Sequence, residues 1–398
     1  MKRLLLFFLL ITLSASAQQA ELKLPNGYRL STHFKALQEG FYLVVKGEGE
    51  NARYGYADRE GKIIIKAQYP YAFPFRNGYA IVAEGPMGGD LKGLINTTGD
   101  LVTPIRWRDV GQVVDERFVV CEEVELGKRS YYYLSTRGEK LFDRAFDYAD
   151  DFSEGVAVVG VGSWERPPIP DNVNLPEGFT LNMRGMAAKF KGLHGLIDTL
   201  GREIIAPKYL KIDKMHDGLA IAAIEGKYSP KYGYLNREGK PVIPFDYYQA
   251  ERFNDGLAVV CKVVQGELKY GYIDLTGREV IPIRWDYASA YEFGRLWVGE
   301  NEGEVLRYML LDSQGRELLS QWVYALNPSG RYGHASCAIS DGTGTLHFGV
   351  ISSRGKVIIP FEYDQITLYS EWDDASQSYI ECGIAYRDGR SIPFTLGR

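Results

Sequence analysis

Apolar and polar positions alternate along most of this chain in short runs, and the same run recurs. Residues 270–288 read YGYIDLTGREVIPIRWDYA, residues 232–250 read YGYLNREGKPVIPFDYYQA, and residues 194–212 read HGLIDTLGREIIAPKYLKI. In each line an opening stretch such as YGYID carries aromatic or aliphatic residues with period two, which predicts a strand. A second strand of the REVIP type follows a polar turn. It is expected to stop where Pro104, Pro244, Pro282 and Pro360 withdraw a backbone donor. A third strand follows Gly78, Gly155, Gly218 and Gly256 and is apolar enough to be buried on both faces. Between these runs, segments such as DYYQAERF and DYASAYEF place Tyr247, Phe253, Tyr287 and Phe293 in a fourth, irregular strand or a packed loop.

The glycine of the LTGRE turn gives anchors at Gly61, Gly99, Gly138, Gly201, Gly239, Gly277, Gly315 and Gly355, spaced by 38, 39, 63, 38, 38, 38 and 40 residues. A fixed period in the range of about 20 to 50 residues marks a solenoid, a propeller or an array. Three residues before each anchor stands Asp58, Asn96, Ser135, Asp198, Asn236, Asp274, Asp312 or Ser352, short side chains that accept a hydrogen bond from backbone two residues on. The anchor glycine then supplies the positive φ of a hairpin loop. A calcium ladder built from these polar residues is disfavoured, because Ser135 and Ser352 are poor ligands and a calcium site needs about six oxygens. Glycine also recurs inside the first strand, at Gly55, Gly93, Gly195, Gly233, Gly271 and Gly349. Mid-strand glycine forfeits backbone entropy, so a steric reason is required; the expectation is an aromatic ring from a neighbouring strand lying across the bare backbone.

The motif resembles the WG, or KWG, repeat family of bacteria, in which an aromatic residue followed by glycine opens a GYID..G..VIP..YD.A..F..GLA.V unit. The resemblance covers about residues 37 to 365. It departs at the naming residue: where the family shows Trp, this chain has Tyr54, Lys92, Tyr131, His194, Tyr232, Tyr270, Tyr308 and Phe348. The resemblance implies a repeat protein, often exported, with binding roles.

Three to four short strands per period, repeated eight times, make the chain all-β and fit a closed β-propeller or an open β-solenoid. The propeller is favoured. LQEGFYLVV at 37–45 starts the chain in mid-repeat, and YIECGIAYRDGRSIPFTL at 379–396 is surplus to the last one, so the two ends read as parts of a shared closing blade. The organisation expected is a signal peptide at 1–17, a leading partial repeat at 18–50, and eight repeats over 51–398 that include an insertion near 163–187 and a degenerate C-terminal segment.

Composition narrows the function classes. Lys2 and Arg3, the apolar run Leu4 to Ile11 and the ASA ending at Ala17 have the form of a signal peptide cleaved before Gln18. The run is too short to span a bilayer, so an exported chain, periplasmic or extracellular, is expected. Removing two basic residues leaves 46 − 2 = 44 against 51 acidic, a net charge of about −7, and no basic stripe occurs. Nucleic acid is therefore not an expected partner. Cys121, Cys261, Cys337 and Cys382 form no CxxC pair; Cys337 and Cys382 lie in corresponding strands of the last units, where a bridge is conceivable.

No catalytic constellation stands out. The five histidines show no metal spacing, no GxSxG or P-loop occurs, and the acidic CEEVE at 121–125 reads as a strand end facing water. Neither a cofactor nor a metal is expected. The singular feature is the insertion. Gly155 and Gly195 are 40 residues apart where Gly256 and Gly271 are 15 apart, so 25 surplus residues fall between two strands. They carry Trp164, Arg166, Phe179, Met183 and Met186 outside any repeated core position. A long insertion of this kind forms either a lid packed on the adjacent repeat or a binding loop, and Trp164 and Arg166 are the natural anchors for a partner. The function expected is non-enzymatic binding or scaffolding toward a protein or an envelope glycan; a propeller-borne enzyme acting on glycans is the alternative.

Overall fold

In a computed structural model the chain is described over residues 22–85, 91–125, 128–165, 188–328, 332–373, 376 and 378–396. The described residues form nine small antiparallel sheets in chain order, spanning 28–69, 71–107, 109–135, 148–209, 211–247, 249–285, 287–312, 324–363 and 365–396. We number them sheets 1 to 9. Each is a simple meander. Sheet 6 shows the unit: a two-residue strand Gln249–Ala250, then Leu257–Val264, Glu267–Asp274 and Glu279–Trp285. The irregular aromatic segment is thus the first strand of each sheet, and the written repeat straddles two sheets.

The turn chemistry explains the strand boundaries. Asp274 Oδ1 accepts from the backbone N–H of Thr276 and of Arg278, and Gly277 closes the turn at φ +83°. Before the second strand, Asp255 and Gly256 both take positive φ (47° and 79°), a primed hairpin turn whose twist suits the flanking strands. The second strand is the apolar one. Its first five residues are buried in sheets 4, 5, 6 and 7, as expected for a strand packed on both faces.

Two expectations about the repeat positions are corrected. The fourth strand does not stop at its proline. Pro244 lies inside Pro241–Tyr247 and Pro282 inside Glu279–Trp285, because both sit in a bulge where no donor is needed. In sheet 6 Tyr270 pairs with Trp285 and Tyr272 with Ile281, so Gly271 alone faces Pro282, Ile283 and Arg284. The bulge folds over that glycine. A Cβ on Gly271 would meet Ile281 O at 2.7 Å and Ile283 Cα at 2.8 Å, and one on Gly233 would meet Ile243 O at 2.7 Å. What requires glycine at these two positions is therefore neighbouring backbone, whereas at Gly349 the Phe361 ring of the paired strand does lie across it, 2.8 Å from a Cβ.

Neighbouring sheets pack face to face, each junction holding one apolar cluster. Leu257, Tyr272 and Trp285 of sheet 6 meet Leu296, Val298 and Met309 of sheet 7, and the same arrangement runs from sheet 1 to sheet 9. Polar ties reinforce the junctions. The buried Tyr56, Tyr133, Tyr234 and Tyr272 hydroxyls donate to the carbonyls of Phe73, Asp150, Glu251 and Ser289, each 17 residues ahead in the next sheet, at 2.6–2.7 Å. Glu39 accepts from the N–H groups of Asn77 and Gly78 at 2.6 and 2.8 Å.

The first strands and the loops after them turn the same way. Residues 73, 74, 76 and 111–113 border one cavity, 150, 153, 212–216 and 250–252 another, and 287–290 and 292 with Pro328 a third. This repeated inner edge makes the architecture β-propeller-like. A shared closing blade is not formed. The leading strands Tyr28–Leu30 and Phe41–Lys46 complete sheet 1 with the first full repeat, while the C-terminal strands make sheet 9 by themselves. The outer face of sheet 1, at Tyr28, Leu30, Tyr42, Val44 and Ala57, is covered by Leu22 and Leu24.

All four cysteines are buried and free. Cys337 packs against Trp297 and Leu310 of sheet 7, whereas Cys382 lies on the face of sheet 9 opposite to Ile366 and Leu368, which pack on sheet 8. Cys337 faces the junction of sheets 7 and 8 and Cys382 the side of sheet 9 away from sheet 8, and no bridge joins them. Among the described residues no helix is long and apolar enough to cross a membrane.

Candidate binding site at the extended hairpin

The insertion lengthens one hairpin. Val156–Glu165 and Lys189–Asp198 are ten-residue strands paired out to Glu165 and Lys189, with Trp164 opposite Phe190. Gly160, Gly162 and Gly192 make room for this. A Cβ on Gly160 would stand 2.8 Å from the Phe190 ring and one on Gly192 at 2.7 Å, so here a ring does lie across bare backbone. The anchoring of Trp164 follows. Its ring stacks at 6.1 Å on Tyr131 (24°) and on Tyr148 (30°), lies 5.6 Å from Phe190, and has the Arg129 guanidinium 4.2 Å from its centre. Its Nε1–H donates to Asp147 O at 2.8 Å, while Asp147 Oδ2 accepts from Gly162 N at 3.1 Å.

These groups wall a cavity of about 380 Å³ between sheets 3 and 4. Tyr131, Tyr148 and Trp164 give it aromatic surface; Asp109, Gln112, Arg129, Asp150 and Asp151 give it polar groups. Arg129 Nε is buried and has no hydrogen-bond partner among the described residues. Asp151 is held firmly. Its Oδ1 accepts from Gln112 N at 3.0 Å, and Lys214 Nζ reaches Asp151 Oδ2 at 3.0 Å and Asp150 Oδ1 at 2.9 Å. Burial pushes the Asp151 carboxyl up, and Lys214 pulls it back. Gly111 is needed for that approach, since a Cβ there would overlap Asp151 Oδ1. Tyr148 and Asp150 also border a second cavity of about 520 Å³ reaching Lys214, His216 and Arg252, so the two spaces share a wall.

The floor is chemically quiet. Burial pushes the Cys121 thiol up to about 11, and burial beside Cys121 pushes the Tyr131 phenol up, so both stay protonated at neutral pH. Glu122 is exposed and Glu123 faces Arg108 at 3.6 Å, which fits the strand-end reading of CEEVE. Among the described residues no group of three or more His, Cys, Asp or Glu is placed to hold a metal.

Of the residues singled out in the insertion, Trp164 stands half-buried in the cavity wall. Arg166, Phe179, Met183 and Met186 lie outside the described residues. Sequence reasoning missed Arg129, Tyr148 and Phe190. Tyr148 sits at a repeated aromatic position and gave no signal, but Arg129 and Phe190 stand beside strands that are longer than the repeat requires.

The model of the WG-containing repeat matches residues 54–85, 133–163, 195–228, 232–262, 270–302 and 348–371, six of the eight anchored units. No curated protein matches the chain. Solved structures with a similar course include a eukaryotic initiation factor at 11% identity, with 83% of this chain and 87% of that one covered and a TM-score of 0.44. Porphyromonas gingivalis dipeptidyl peptidase 4 is similar at 10% identity over 90% of this chain and 64% of the peptidase, TM-score 0.39. Prolyl oligopeptidase B from Galerina marginata gives 10% identity, 90% and 55% coverage, and a TM-score of 0.36. The chain spans less than two thirds of either peptidase.

Proposed function

Because six of this chain's repeats are WG-containing repeats, we propose that it is a non-enzymatic scaffold, exported from the cell, which binds an envelope glycan at the cavity between sheets 3 and 4. The observation that carries this is the placement of Trp164. An insertion found once in a regular frame brings an indole onto two tyrosines beside Arg129, Gln112 and three aspartates. Sugars present flat C–H faces that pack on aromatic rings and a rim of hydroxyls that pair with carboxylates, amides and guanidinium groups. The cavity supplies both kinds of surface. Export rests on the N-terminal segment, and the absence of a catalytic role on the quiet chemistry of the cavity floor.

The test is co-sedimentation of the purified mature chain with isolated cell-wall sacculi, before and after protease treatment of the sacculi. Retention that survives protease supports the glycan. Retention lost with protease identifies a protein partner in its place, and no retention on either preparation rejects the binding reading.

A further inference from the structure

Another cavity, of about 320 Å³, opens on the inner edge between sheets 7 and 8, and two of its walls depart from the aliphatic pattern of sheets 4, 5 and 6. At the first position of the second strand sheets 6, 5 and 4 carry buried Leu257, Leu219 and Val156; sheet 7 has Arg295, 4% exposed. Two residues on, where they carry Val259, Ile221 and Val158, sheet 7 has Trp297, 1% exposed. Both line the cavity, with the guanidinium 5.9 Å from the indole.

Neither has a partner. Arg295 Nε and Trp297 Nε1 are buried donors without an acceptor among the described residues. Glu292 and Glu381 are the carboxylates whose charge reaches Arg295, and neither comes within ion-pair distance of it. Glu381 is turned instead toward His334 Nδ1 at 2.7 Å. Burying a charge without a paired counter-charge costs several kcal/mol by general experience, and an orphaned donor adds to that. Sheets 4, 5 and 6 fill the same places with aliphatic side chains, and the one other arginine at the first of them, Arg117 of sheet 3, is only half-buried and lies over the Phe152 ring.

We propose that this cavity binds a small monocarboxylate, whose oxygens accept from the Arg295 guanidinium beside the Trp297 ring. Tyr287, Ala288, Ala290 and Pro328 give the rest of the space apolar walls suited to an aryl or alkyl body. Glu251 and Glu292 at its border disfavour a second negative charge on the ligand. The site is separate from the one at Trp164, which involves sheets 3 and 4.

Isothermal titration of the full chain with benzoate, benzamide and benzylamine tests this, alongside Arg295→Leu and Arg295→Lys. Benzoate is expected to bind one to one, at least about tenfold more tightly than its two isosteres, as loss of a charge-assisted pair implies. It should also shift the indole N–H resonance of Trp297. Arg295→Leu gives the side chain of sheets 5 and 6, so it should keep or raise the melting temperature while abolishing benzoate binding. Arg295→Lys, which loses the planar fork, should weaken binding about tenfold. Equal affinity for benzamide, no benzoate binding up to about 50 mM, or unchanged binding by Arg295→Leu would each overturn the assignment. A marked loss of melting temperature in Arg295→Leu would also count against it, because a structural role predicts that loss.

Discussion

Replacing Gly271 by alanine adds one methyl group at the point where the fourth strand of sheet 6 bulges over the third. With φ in the ordinary range, alanine should help a strand, because it removes unfolded-state freedom worth about 0.4–1 kcal/mol. The geometry opposes this. The new Cβ stands 2.8 Å from Ile283 Cα and 2.7 Å from Ile281 O, roughly 0.7 Å or more inside the optimal 3.5–4.0 Å separation of carbon atoms. Both obstacles are backbone, so no rotamer change relieves them. Overpacking of this kind costs about 1–3 kcal/mol, which leaves a net destabilisation of about 1–2 kcal/mol. Guanidinium midpoints of wild type and variant measure it. Because a repeat array transmits strain chiefly to its neighbours, amide exchange should quicken in sheets 6 and 7 and hardly elsewhere. Gly256→Asn is the control: φ there is +79° with nothing within 4 Å of a Cβ, so the loss should stay within about 1 kcal/mol. A Gly271→Ala protein as stable as wild type would refute the bulge argument.

Three further outcomes are expected. Tyr272→Phe removes a hydroxyl that donates to Ser289 O at 2.6 Å and lies 3.1 Å from Trp297 O; the denaturant midpoint should fall by the equivalent of about 1–2 kcal/mol, and an unchanged midpoint would show the tie to be idle. Asp274 is held down at about 2 by hydrogen bonds from the Thr276 hydroxyl and then the backbone of Arg278 and Thr276. A depressed folded value means stability that is present above the ordinary carboxylate range and is lost as pH falls through about 2, so wild type should exceed Asp274→Asn in melting temperature at pH 5 and match it near pH 2; a gap independent of pH would contradict this. With Cys121 pushed up to about 11 and Cys337 to about 12 by burial, native protein should resist thiol reagents at pH 8 and release four reactive thiols on unfolding without reductant; two would reveal a bridge.

The fold was largely legible because its information is local and written eight times. Short polar residues three before each anchor glycine specify a turn, and period-two apolar runs specify the strands between turns. What escaped were features set by how one strand crosses another. Gly271 and Pro282 look unrelated in the chain, yet they are the two halves of one bulge, and a pairing offset leaves no trace in periodicity. The ends were misread for a similar reason, since a half-repeat at each terminus pairs equally well on paper with the other terminus or with its own neighbour. For the site, the insertion drew attention to Trp164, but the groups that meet it come from three other strands. Arg295 and Trp297 were visible as departures from GLAVV, and only their burial without partners gives those departures meaning.

The account holds that frame and site are separable, and one paired measurement tests that most directly: melting temperature and retention on protease-treated sacculi, taken together for Gly271→Ala and for Trp164→Ala with Arg129→Gln. The frame variant is predicted to melt lower and bind as wild type below its transition. The site variant is predicted to lose at least tenfold in retention, consistent with removal of a half-buried aromatic anchor and its cation, while the sheets away from the junction of sheets 3 and 4 keep wild-type amide protection. Retention that falls in the frame variant and persists in the site variant would contradict the account.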